Sequence, residues 1–178
     1  MDKIRKPTIE ELPGEIIEAF LEAEYFIKAA NYIIQKNEEL ESQTLGLFNG
    51  ITSVYQVNHS FAVEMYMKCL HLITKRDYRG GHKLGDLYDF LDISVQLKLN
   101  EKYQNDYSES DYRFTDTTIY SFGEILHQMS DYFIYARYAF EKQRNKKDAK
   151  LYKLSFSYKV IRDTILEIYP QLNNHIVI

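Results

Sequence analysis

The sequence predicts an all-α protein, an antiparallel bundle of four to five helices, and three observations carry that expectation. Apolar residues recur at helical spacing in five separate stretches. Seven glycines and three prolines among 178 residues are few for the many tight turns of an all-β fold. No internal repeat or low-complexity tract divides the chain, and a 45% hydrophobic content is enough to fill one core, so 1–178 is expected to be one domain.

The elements follow in order. Thr8 with Glu11 has the spacing of a capping box, and Pro13 suits the first turn of a helix running to about Asn37. Its apolar stripe is Ile16, Ile17, Phe20, Ala23, Ile27, Ala30 and Ile34, with Glu15, Glu18, Glu22 and Glu24 mostly outside it. Residues 38–50 are polar and read as a connection. A second helix, from 51 to about 75, is carried by Val54, Asn58, Phe61, Ala62, Met65, Cys69, Leu72 and Ile73. Gly80 and Gly81 must end it, because paired glycines are costly inside a helix. A shorter helix from 83 to about 97 is expected on Leu84, Leu87, Tyr88, Leu91 and Val95. Between about 100 and 118 the chain is rich in Asp, Ser, Asn and Tyr and loses its period, which predicts a long exposed loop. Phe122, Ile125, Leu126, Met129, Phe133, Ala136 and Phe140 then mark a helix over 119–142. Asp148 can cap a last one, striped by Leu151, Leu154, Tyr158, Ile161, Ile165 and Ile168, which Pro170 stops. The apolar tail 176–178 is short enough either to fray or to dock.

A formal net charge of −4 and a pI near 5.8 exclude a global pull toward nucleic acid or anionic lipid, so any such binding must use a local patch. The sole cysteine, Cys69, permits neither an intrachain disulfide nor a thiol cluster for zinc, and a reducing cytoplasm is the simplest setting. The start of the sequence is acidic and amphipathic, unlike a signal peptide, and no stretch approaches the roughly 20 apolar residues that cross a bilayer. A cytoplasmic protein without membrane association, cofactor or metal is therefore expected. Sixteen tyrosines and ten phenylalanines without tryptophan imply a bundle packed with rings. His59, His71, His127 and His175 are not spaced as ligands and read as surface or satisfied core residues. Phosphate loops of the P-loop or dinucleotide type and the serine nucleophile elbow are lacking.

Chemistry concentrates in three places. Glu64 and Lys68 are one helical turn apart in the order that favours an ion pair, worth about 0.2–0.5 kcal/mol if exposed. If they are half-buried beside His82 and Arg137, they form a polar cluster, either a structural clasp or an active pocket. His82 follows two glycines and precedes a helix, where an imidazole can also serve as a cap. A basic run of Lys142, Arg144, Lys146, Lys147, Lys150 and Lys153, and a smaller group of Lys75, Arg76, Arg79 and Lys83, read either as solvated corners or as RNA phosphate contacts.

Two segments resemble the HEPN family of helical bundles found in prokaryotic defence and toxin–antitoxin systems. The stretch Phe61 to Leu70, with Glu64 and Lys68, followed by Gly81-His82-Lys83-Leu84, is similar to the family's Glu and Lys on one helix and a following His-x-Leu. The stretch Phe133 to Glu141 looks like its Arg-Tyr signature, at Arg137 and Tyr138. Together they cover about 51–142.

The resemblance implies a homodimer, a role in RNA- or nucleotide-linked defence or stress regulation, and an antitoxin or nucleotidyltransferase partner. Catalytic members are metal-independent ribonucleases with an Arg, a polar residue and, a few residues later, a His. Arg76, Asp77 and His82 have that spacing here, with the imidazole as acid or base and the guanidinium on the phosphate. The family places this motif at the start of a late helix, and this chain places it in a Gly-rich connection, so a non-catalytic or degenerate member is the preferred expectation. The alternatives are an endoribonuclease toxin and an interaction module whose partner binds the aromatic segment from Tyr103 to Tyr120.

Overall fold

The computed structural model describes residues 14–41, 48–75, 80–109, 121–130 and 149–176. Two long helices, α1 (Gly14–Glu41) and α2 (Phe48–Lys75), form an antiparallel hairpin. Their stripes meet as the spacing requires. Phe20 and Ala23 on α1 and Ala62, Val63, Met67 and Leu70 on α2 are fully enclosed. Phe20 packs on Tyr66 with ring centroids 5.7 Å apart, and Phe26 stacks on Phe61 at 5.1 Å. The Cys69 thiol donates to the Ile16 carbonyl at 3.6 Å, and burial pushes its pKa well above the usual thiol range. Each enclosed Leu or Phe contributes about 1.5–3 kcal/mol relative to leaving it in water.

The stretch expected as one helix over 83–97 is two, α3 (Leu84–Asp89) and α4 (Ile93–Glu109). Leu84, Leu87, Tyr88, Leu91 and Val95 are all buried, so the apolar spacing runs unbroken through the interruption at Phe90–Asp92. Gln96 accounts for the break. Its side-chain amide donates to the carbonyls of Tyr88, Asp89 and Leu91 at 3.0–3.2 Å, satisfying acceptors that a helix end leaves open.

The loop expected over about 100–118 is not a loop for its first ten residues, because α4 continues to Glu109. Its polar composition is that of a solvated face. On the other face Leu99 and Tyr103 extend the stripe of Leu91 and Val95 into the core. Lys98 and Lys102 pair with Glu167 at 2.9 and 2.8 Å, and their hydrogen bonds hold that carboxyl below its usual pKa. Tyr103 is 5% exposed and packs on Phe122, so it is not available to a docking partner.

Helix α5 (Phe122–Met129) opens on a capping box that the sequence contains. The Ser121 hydroxyl accepts from the Glu124 amide, and the Glu124 carboxylate accepts from the Ser121 amide. The Asn100 side chain accepts from the Phe122 amide at 2.9 Å and ties α5 to α4. Phe122, Ile125, Leu126 and Met129 are buried as expected. Gly123 lies where an added Cβ would come within 2.5 Å of the Tyr88 ring, so this glycine sets the close approach of α3 and α5.

Helix α6 (Ala149–Ile168) sends Val160, Ile161 and Ile165 into the core and ends before Pro170, which starts a 3-10 turn over Pro170–His175. Ile176 packs against the core, so the first residue of the apolar tail docks. The Thr8–Glu11 box, Pro13, the Asp148 cap and the continuation of α5 over 131–142 lie outside the described residues. Among the described residues there is no strand, and no helix is long and apolar enough to cross a membrane.

Candidate functional site

Three of the four residues expected to cluster do so. Glu64 and Lys68 sit in the middle of α2, 4% and 5% exposed, and the Lys68 ammonium donates to Glu64 Oε1 at 2.6 Å. They are a buried pair and not a surface one. His82 reaches the same oxygen from the connection that leaves α2, with Nδ1 at 3.0 Å. Gly81, at φ 113°, supplies the left-handed backbone that brings the chain back to α2. The connection is held on its far side as well, because His71 Nε2 donates to the Leu87 carbonyl at 2.7 Å and fastens α3 to α2. His82 does not cap α3. Lys83 occupies the cap position, and the imidazole is turned to Glu64 instead.

The His82 side chain remains 72% exposed although its anchor is buried. A carboxylate can only accept, so Nδ1 carries the proton in this contact. Such a contact fixes the tautomer and, in a side chain 72% exposed, leaves Nε2 as a hydrogen-bond acceptor. Lys83, beside it, is exposed. Arg137 lies outside the described residues, as do Arg76, Asp77, Arg79, Arg144, Lys146 and Lys147, and the side chain of Lys150 on α6 is likewise not described. Among the described residues no group of three or more His, Cys, Asp or Glu converges as metal ligands.

Two polar features escaped the sequence reading. Glu24, placed outside the α1 stripe, is 8% exposed and joins three helices. It accepts from the Tyr66 hydroxyl at 2.6 Å and from Arg162 Nε on α6 at 2.5 Å. Burial, followed by the neighbouring carboxylate, raises the Tyr66 pKa far above the ordinary phenol value.

The second feature is His59, which was expected to be a surface or satisfied residue. It is 1% exposed, neither ring nitrogen has a hydrogen-bond partner among the described residues, and its ring lies between those of Tyr55 at 4.2 Å and Tyr158 at 5.3 Å. Burial lowers its pKa from 6.5 to about 4. The folded protein therefore keeps the ring neutral where the unfolded chain would protonate it. Stability from this residue is complete above pH 6.5 and falls as pH drops toward 4, by up to roughly 3 kcal/mol. His59→Phe, which keeps a ring between the tyrosines, is expected to gain over the wild type progressively through that window. Urea midpoints of both proteins at pH 7 and pH 4.5 measure the effect, and a pH-independent difference refutes it.

The described residues thus define a class, an all-helical protein with an exposed imidazole anchored on a buried carboxylate. Comparison with family models, with curated proteins and with solved structures gives no match to this chain.

Proposed function

We propose that this chain is a HEPN-like helical bundle acting in RNA- or nucleotide-linked defence or stress regulation, as a non-catalytic or degenerate member, and that it meets its phosphate-bearing ligand at His82. The observation that carries this reading is the Glu64–Lys68–His82 cluster, which joins three of the residues on which the resemblance rests. Lys68, at the shorter distance, already matches the Glu64 charge, so the carboxylate's service to His82 is orientation. Once its Nε2 is also protonated, the oriented imidazole can donate to a phosphate oxygen, with the Lys83 ammonium beside it.

Fluorescence anisotropy with labelled single-stranded RNA tests the reading. His82→Ala and Lys83→Ala are each expected to weaken binding several-fold, and affinity is expected to fall as salt rises. Unaltered affinity in both variants defeats it. The same experiment run in a sedimentation cell addresses the homodimer that belongs to this proposal, and a monomer at all concentrations counts against that part.

A metal-independent endoribonuclease is the second reading, favoured by one observation: Nδ1 is engaged by a carboxylate while Nε2 faces solvent, the arrangement of a general acid or base. RNA cleavage in EDTA that His82→Ala abolishes would establish it. Intact RNA, or cleavage equal in the two proteins, dismisses it.

A further inference from the structure

A groove of about 670 Å³ runs between α1 and α2 on the face that Glu15, Glu18 and Glu22 share. Among the described residues its apolar lining is Ala19, Leu21 and Tyr25 from α1 and Met65 and Leu72 from α2. Tyr25 is 58% exposed. Glu15 to Tyr25 spans ten residues, about 15 Å of helix, or close to three turns. Met65 and Leu72 are two turns apart on α2, so the groove offers apolar contacts at the interval at which a helix presents its own.

The glutamates lack an internal explanation. Glu15 lies in the first turn of α1, where a negative charge suits the helix dipole, but Glu18 and Glu22 lie beyond it. Glu18 and Glu22 are one turn apart, a like-charge spacing that costs about 0.2–0.5 kcal/mol in a helix. Among the described residues none of the three carboxylates has a hydrogen bond or ion pair, whereas those of Glu24, Glu64 and Glu167 are all paired. A carboxylate edge along an apolar floor is the complement of one kind of surface, a helix with leucine-like residues on one stripe and lysine or arginine beside it.

We propose that the α1–α2 groove is a docking site for a basic amphipathic helix of a partner protein. Nucleic acid and anionic membrane are repelled by the same edge. Two copies of this chain joined about a two-fold axis through this face would bring both sets of glutamates into one interface. The site is separate from His82, so its test stands or falls independently of the RNA reading.

The probe is a fluorescein-labelled 14-residue helical peptide with leucines on one stripe and lysines along its flank, together with a twin in which glutamates replace the lysines. Anisotropy is measured on the full chain. The lysine peptide is expected to bind at least tenfold more tightly than its twin, with the difference shrinking at high salt. The double variant Glu18→Lys/Glu22→Lys, both positions exposed, is expected to reverse the preference, and far-UV circular dichroism confirms that it folds. Met65→Asp is expected to weaken the lysine peptide by removing part of the floor. Equal binding of the two peptides, binding of neither, or a preference unchanged in the double variant overturns the proposal. Self-association that the double variant alters also overturns it, in favour of a second copy as occupant.

Discussion

Lys68→Met is expected to destabilise the protein by about 3–5 kcal/mol, the cost of leaving a buried charge without its counter-ion. Methionine keeps the length of the side chain and is as good a helix former, so neither volume nor propensity supplies the loss. What remains is Glu64, 4% exposed, with the His82 imidazole on the same oxygen. The double replacement Glu64→Gln/Lys68→Met is expected to lose much less, since both charges leave together. Urea unfolding of the single and double variants measures the difference. A Lys68→Met protein within about 1 kcal/mol of the wild type would show that the carboxylate reaches water and that the cluster is not enclosed.

Glu24→Ala carries the next largest loss, about 3 kcal/mol, because one carboxylate serves two partners. Removing it strands the Tyr66 hydroxyl, whose residue is fully buried, and unpairs Arg162. The Arg162 side chain is 27% exposed and can turn partly to water, which keeps the figure at the low end of the range for broken buried pairs. Tyr66→Phe, by contrast, removes only a donor and leaves the ion pair, so about 1 kcal/mol is expected. Thermal or urea melts of the two variants decide the order. If Glu24→Ala costs no more than Tyr66→Phe, the carboxylate is not what binds α1, α2 and α6 together.

These two clusters differ in how far the sequence discloses them. Glu64 and Lys68 are four residues apart, and His82 follows a glycine pair that must turn the chain, so local spacing is enough to suspect the first. Glu24 and Arg162 are 138 residues apart, and nothing local to either announces the other. Glu24 follows Ala23 and stands one turn after Phe20, at the edge of the buried stripe, where charge normally means solvent. Only the packing of a third helix makes that edge an interior.

The fold shows the same division. Stripes such as Phe20, Ala23, Ile27 and Ala30 are legible because burial repeats with the helical period, and Gly81 and Pro170 mark ends for backbone reasons that need no tertiary information. The extension of α4 to Glu109 was hidden by a polar composition that tertiary contacts override, through Leu99, Tyr103 and the pairs to Glu167. The start of α5 is legible, since Ser121 and Glu124 spell a capping box three residues apart. His59 was not legible at all, because its isolation from polar partners is a property of the packed interior.

The Cys69 sulfur, shut between the two long helices, has a practical use. A thiol-specific dye cannot reach it while the hairpin is closed, and the sequence offers no competing sulfhydryl. Its labelling rate therefore clocks how often those helices part, giving each variant described above a kinetic readout that requires no engineered probe.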